Sequence, residues 1–202
     1  MIRKPYSSAM TKHLFWFTEF KIIVRLLNEG KNMNEIKKLN EVENLLAVKT
    51  MNRRKIILSV IAARINSIPQ DFIELCGKTD ISTQKLIAVI AIMAVESLFY
   101  DFVYEVYREK LITGDKTMTI GDFTLFFRNK QIQDDRLATW TDTTFNRLGR
   151  AYRNILIKSN LIKNHKKNEW VVEKPIINRQ LADVLDKAKM GAFYSALTGE
   201  AL

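Results

Sequence analysis

Cysteine, histidine, glycine and proline are all scarce in this chain. A single cysteine, Cys76, excludes a disulfide framework and any zinc site built on cysteines. The ordinary role for such a residue is a small buried thiol. The two histidines, His13 and His165, lie far apart and in no motif, so neither marks a metal site or a catalytic base. Seven glycines and three prolines in 202 residues leave few breaks. They fall between periodic segments, which predicts an almost wholly helical chain. No phosphate loop, dinucleotide fingerprint or Gly-x-Ser-x-Gly nucleophile turn is present. The longest apolar run, residues 86–95, stops at Glu96. A bilayer span needs roughly 20 such residues, so this run reads as a buried core helix and no membrane partner is expected. No signal peptide is visible, and the lone cysteine fits a reducing compartment, so a cytoplasmic setting is expected. No catalytic residues, metal or cofactor are expected, and the chain does not read as an enzyme.

Positive charge and apolar residues, by contrast, are plentiful. The net charge is +10 and 47% of the residues are hydrophobic, enough for a sizeable core and in favour of a polyanionic partner. The charge is uneven: +8 over residues 1–68, −3 over 69–118 and +5 over 119–174, with 175–202 neutral. Two basic regions flank a mildly acidic, apolar middle. This divides the chain into an N-terminal helix-turn-helix-like unit (1–68), a central helical core (69–118) and a C-terminal winged-helix-like unit with a helical tail (119–202).

Periodicity fills in the elements. Residues 18–29 form an amphipathic helix stopped by Gly30. A short helix follows near 33–41, then a basic one near 50–66. Three helices with short connections, the last carrying a basic start, have the layout of a helix-turn-helix. After Ile68-Pro69 a short helix covers 70–76. Ser82 or Thr83 is expected to cap a helix running to Val95. The next, from about Glu96 to Leu111, is apolar nearly all round and belongs in a core. Thr113-Gly114-Asp115 is a turn. A helix through Phe123, Phe126 and Phe127 and a short segment at 134–139 lead to a second basic helix. Residues 161–173 then read as a β-hairpin wing with Lys166 and Lys167 at its tip. Residues 178–198 hold one or two short helices. The expected fold is mainly α: a helical bundle core with two helix-turn-helix-like units, the C-terminal one carrying a small β-hairpin wing.

The two basic helices open alike. Thr50 and Thr141 can each cap a first turn, and each is followed by arginines in or near that turn. Cations there oppose the helix dipole, so helix stability does not account for them. Helix starts that offer Arg, Asn and Thr suit phosphates and base edges. Lys49, Thr50, Asn52, Arg53, Arg54 and Lys55 at the first helix, Thr143, Thr144, Asn146, Arg147 and Arg150 at the second, and Lys166 and Lys167 on the wing are the candidate DNA-binding residues. Arg153, Asn154 and Lys158 lie on the same outer surface of the second helix. Phe15, Trp16, Phe17, Tyr152 and Trp170 lie beside these regions and could stack on single-stranded bases, but their spacing favours core packing. Asp101, Glu105 and Glu109 share one helical stripe. With Arg108 and Lys110 nearby, it reads as a solvated edge and not as a metal site.

Glu43-Asn-Leu-Leu46 leading into Arg53-Arg-Lys55, and Trp140-Thr-Asp-Thr-Thr144 leading into Arg147-Leu-Gly-Arg150 and Ile155-Leu156, resemble the BrxA family. BrxA is a small accessory protein of BREX bacteriophage-defence systems. The resemblance extends through Asp71-Phe-Ile-Glu-Leu75 and Val95-Glu-Ser-Leu-Phe-Tyr-Asp-Phe102, and so covers most of the chain. It implies a mostly α-helical protein with helix-turn-helix character, a shape similar to the antitermination factor NusB, and DNA binding without catalysis. It further implies work beside a methyltransferase, an ATPase and a phosphatase-like protein of the same system. It places DNA binding on Arg53, Arg54, Lys55, Thr144, Arg147 and Arg150.

The expected function is therefore a non-enzymatic subunit that contacts double-stranded DNA through basic helix N-termini and a basic wing. Two rivals stand beside it: an RNA-binding module of antitermination-factor type, and a protein-interaction scaffold whose basic lobes meet acidic partners.

Overall fold

A computed structural model describes residues 4–202. The fold is mainly α-helical with one small antiparallel sheet. It divides into two compact units: residues 16–95, and the residues up to Phe15 together with 96–202. The three stretches told apart by charge do not coincide with these units. Charge composition tracks the surface, whereas the units are set by which apolar faces meet.

The 16–95 unit contains α1 (Phe17–Asn28), α2 (Met33–Glu43), α3 (Met51–Ile65), α4 (Gln70–Cys76) and α5 (Ile81–Val95). α1 buries Phe20, Ile23, Val24 and Leu26 on one face. Asn32 and Glu35 form a reciprocal capping box that starts α2. The cap of α5 is Asp80, not the expected Ser82 or Thr83. Its Oδ1 accepts from the backbone N–H groups of Ser82 (2.8 Å) and Thr83 (3.1 Å). The Thr83 hydroxyl and these backbone bonds hold the Asp80 carboxyl below its usual range. A carboxylate two residues before Ser82 suits the helix dipole better than a hydroxyl does. α5 is buried continuously from Leu86 to Met93. No single helix among the described residues is long and apolar enough to cross a membrane.

In the other unit a 3₁₀ turn, Ala9–Thr11, packs against the later helices and buries Met10. The expected core helix after Glu96 is a rod in three parts. It comprises α6 (Ser97–Phe102), a π-helical turn (Val103–Tyr107) and α7 (Arg108–Thr113). Tyr104 is exposed on it, so the rod is not buried on every side. A strand that the sequence reading did not anticipate, β1 (Thr117–Thr119), comes next. It is followed by α8 (Ile120–Gln133), α9 (Asp135–Ala138) and α10 (Asp142–Lys158). The expected hairpin is β2 (Ile162–Lys166) and β3 (Glu169–Val172), and α11 (Arg179–Lys187) and α12 (Gly191–Thr198) make the tail. β1 pairs with β3, giving the order β1-β3-β2, with Met118 opposite Trp170. Phe99, Phe102, Phe126, Phe127 and Tyr152 form a packed aromatic core whose ring centroids lie 5.0–5.6 Å apart.

Of the expected solvated edge, Glu105 and Glu109 are exposed but Asp101 is not. Asp101 is buried, and Lys130 reaches it at 3.6 Å while binding Glu105 at 2.5 Å. The Tyr6 hydroxyl donates to the same Asp101 carboxylate. Glu109 pairs instead with Arg108 at 2.9 Å. The apolar neighbours of this stripe concealed that Lys130, from another helix, would meet it. Among the described residues no group of three or more acidic, histidine or cysteine side chains is placed to hold a metal ion.

Candidate nucleic-acid interface

The two basic helix starts fall in different units and have different local chemistry. At α3 the Thr50 hydroxyl accepts the Arg53 N–H at 3.3 Å, the expected cap. No acid lies in the first turn, and the cations there are engaged within the fold. The Arg54 Nε donates to the Val48 carbonyl at 2.8 Å. The Arg53 guanidinium lies over the Trp16 ring, 5.2 Å from its centroid, and Arg64 shares that ring at 5.7 Å. Lys55 pairs with Glu41 at 3.4 Å. These contacts offset the unfavourable position of cations at a helix N-terminus. Lys49, Thr50 and Asn52 remain exposed.

At α10 the Thr141 hydroxyl accepts the Thr144 N–H at 3.3 Å. The first turn carries Asp142, which suits the dipole, so this start is less basic than that of α3. Phe145, Leu148, Tyr152, Ile155 and Leu156 face inward as one stripe. Thr143, Asn146, Arg147, Arg150, Asn154 and Lys158 are exposed along the outside, and Thr144 is half-buried. Arg153 lies over the Trp170 ring of β3 at 4.9 Å. The Trp170 Nε1 donates to Asn164 at 3.1 Å, tying β3 to β2 within the hairpin.

Two grooves run along this helix and share Arg150 and Arg153. One, about 380 Å³, lies against α8 and adds Arg128, Gln131 and Asn146 to its wall. The other, about 470 Å³, lies against the hairpin and is lined by Asn154, Asn164, Lys166 and Asn168. Lys166 and Lys167 are exposed where the hairpin turns, and Asn168 completes that turn at a φ of 66°. Among the described residues, Arg128, Arg147, Arg150, Lys158, Lys166 and Lys167 make no ion pair. Unpaired cations around polar grooves attract polyanions without first breaking an internal bond.

Sequence reasoning missed Arg128, Asn164 and Asn168 on this face. Arg153 and Asn154 were legible from their three- and four-residue spacing after Arg150. The approach of Arg128 depends on how α8 packs on α10, which no local pattern carries. Four of the five flanking aromatics, Phe15, Trp16, Tyr152 and Trp170, are buried as core, and Phe17 is half-buried.

The family model for BrxA matches residues 4–189. The chain belongs to the BrxA family. A BrxA-family relative, "BREX protein BrxA" of Bacillus cereus (strain H3081.97), is 34% identical over 195 residues, covering 96% of this chain and 97% of the relative. This BrxA-family fold is also similar to the crystal structure of an uncharacterized protein from Magnetospirillum magneticum. The TM-score is 0.81 at 17% identity, over 98% of this chain and all of the other. The family places the chain among the accessory proteins of BREX phage defence.

Proposed function

We propose that this BrxA-family protein is a non-enzymatic, duplex-DNA-binding accessory subunit of a BREX system, working in the cytoplasm beside other BREX proteins. The observation that carries the reading is the set of unpaired cations on α10 and the hairpin, around grooves lined with amide side chains. The order of elements there supports it: helical rod, β1, α8, the short α9, α10, then β2 and β3 with β1 closing on β3, as in a winged helix. On this reading α10 presents Thr143, Thr144, Asn146, Arg147 and Arg150, and the hairpin adds Lys166 and Lys167. The helix-turn-helix-like trio α1–α3 supplies a second, weaker contact. It rests on Lys49, Thr50 and Asn52, because Arg53, Arg54 and Lys55 already have internal partners. Burial of most of the flanking aromatics favours duplex DNA over single-stranded RNA, which is gripped largely by stacking.

Fluorescence anisotropy with a labelled duplex tests the reading. With about six phosphates neutralised, affinity is expected to fall about a thousandfold between roughly 50 and 200 mM salt. Replacing Arg147 and Arg150 by alanine weakens binding and lowers the salt slope. Absence of binding at low salt, or single-stranded RNA outcompeting the duplex at equal salt, overturns the proposal.

A further inference from the structure

A third groove, about 720 Å³, lies within the 16–95 unit, far larger than either groove on α10. It runs the length of α1 and is closed on the other side by the first turn of α5. Its apolar wall is Phe17 and Ile22 from α1 and Ile81 from α5. Ile81 is 55% exposed, so its side chain is open to a partner. Cys76 lines the groove, and burial pushes its thiol up to about 11, so it is an apolar surface there and not a nucleophile.

The rim is basic. Lys21 and Arg25, four residues apart, stand on one side and Lys85 on the other; Glu29 is the one acid lining the groove. Glu29 pairs with Arg25 at 3.6 Å between largely exposed side chains, a contact weak enough to exchange. Two cations one helical turn apart match two carboxylates one turn apart on another helix. The 12 residues of α1 make the groove about 18 Å long, or about three helical turns.

We propose that this groove seats an acidic amphipathic helix of a partner protein. Its apolar stripe lies on Phe17, Ile22 and Ile81, and carboxylates spaced i and i+4 meet Lys21 and Arg25. The groove lining runs from Phe17 to Glu29 along α1, a length that suits a chain segment better than a small molecule. It shares no residue with the α10 face, so the two proposals fail independently.

The test uses the full chain and a fluorescein-labelled helical peptide of about 14 residues, with leucines on one face and flanking glutamates spaced i and i+4. The expected dissociation constant is on the order of 10 µM. A shuffled peptide of the same composition binds about tenfold more weakly. So does the parent peptide on Lys21→Glu with Arg25→Glu, or on Ile81→Asp. These positions are exposed, so the variants keep the parent's circular dichroism and melting temperature. Arg147→Ala with Arg150→Ala leaves peptide binding unchanged. Absence of binding at about 1 mM, or equal binding by the groove variants, overturns the proposal. So does a dimer in light scattering that Ile81→Asp dissolves, which would make the occupant a second copy. Loss of duplex-DNA binding on Lys21→Glu with Arg25→Glu, without peptide competition, would make the rim a nucleic-acid surface and overturn it as well.

Discussion

Arg54 donates from its Nε to the backbone carbonyl of Val48 at 2.8 Å, closing the loop that leads into its own helix. Arg147, which stands in the corresponding basic helix of the other unit, is exposed and makes no such bond among the described residues. Two arginines that look equivalent in sequence therefore have different work.

This difference predicts a split between stability and binding. Arg54→Ala is expected to lower unfolding free energy by about 1–2 kcal/mol, because a charged hydrogen bond to a half-buried carbonyl is lost. Arg147→Ala is expected to stay within about 0.5 kcal/mol of the parent, as exposed substitutions do, while weakening DNA. Urea unfolding beside anisotropy measures both. A stable Arg54→Ala protein, or an unstable Arg147→Ala one, would reverse the assignment. For the same reason, a joint change of Arg53, Arg54 and Lys55 to glutamate is a poor probe of DNA binding. It removes the Val48 bond, the Trp16 contact and the Glu41 pair together.

Lys130 is the ionic centre of its unit. Removing its ammonium takes a cation from beside the buried Asp101 carboxylate and breaks the Glu105 pair, so Lys130→Ala is expected to cost about 3–5 kcal/mol. Denaturant midpoints check this, and a loss under about 1 kcal/mol would show that the Lys130 contacts do not hold this cluster together. Dialysis against EDTA is expected to leave the melting temperature unchanged, since the carboxylates here are paired with lysine.

Cys76 is expected to react slowly with thiol reagents at pH 8 until the protein unfolds. Desolvation is the main cause of its raised pKa, with Lys21 opposing it weakly. The thiol ionises later folded than unfolded, so its contribution to stability is complete below about pH 9 and is lost as pH rises through about 11. Prompt labelling of the native protein at pH 8 would contradict this.

The tyrosines report on the other unit. Burial pushes the Tyr107 and Tyr152 phenols up, aided by Glu173 for the first and by Glu96, Asp101 and Tyr6 for the second. Of six tyrosines, these two are expected to ionise only as the fold is lost. An ultraviolet titration in which all six ionise reversibly near pH 10 would contradict the burial.

Much of this architecture is legible in sequence because local signals govern it. Thr50 and Thr141 cap where expected, and Leu161 to Glu173 turn as a hairpin around Asn168. β1 was not legible: three residues, Thr117 to Thr119, become a strand only because Val171, Trp170 and Glu169 lie opposite. The π-helical turn at Val103–Tyr107 was equally hidden, for it shifts the inward face within a run that was apolar on most sides. At the candidate interface, residue type and exposure were readable in Asn146, Arg147 and Arg150. What was not readable was which cations fold back on their own unit, since Val48, Trp16 and Glu41 are partners set by tertiary packing.

Tyr6 and Asp101 are bonded across 95 residues, and Arg136 reaches the Tyr6 carbonyl across 130. During synthesis Tyr6 therefore leaves the ribosome long before Asp101 and Arg136. Residues 16–95 form a unit from one unbroken stretch, so they can fold while Tyr6 is still waiting. Translation thus completes the inner segment of the chain first. The Tyr6 contacts are complete only once Arg136 has emerged.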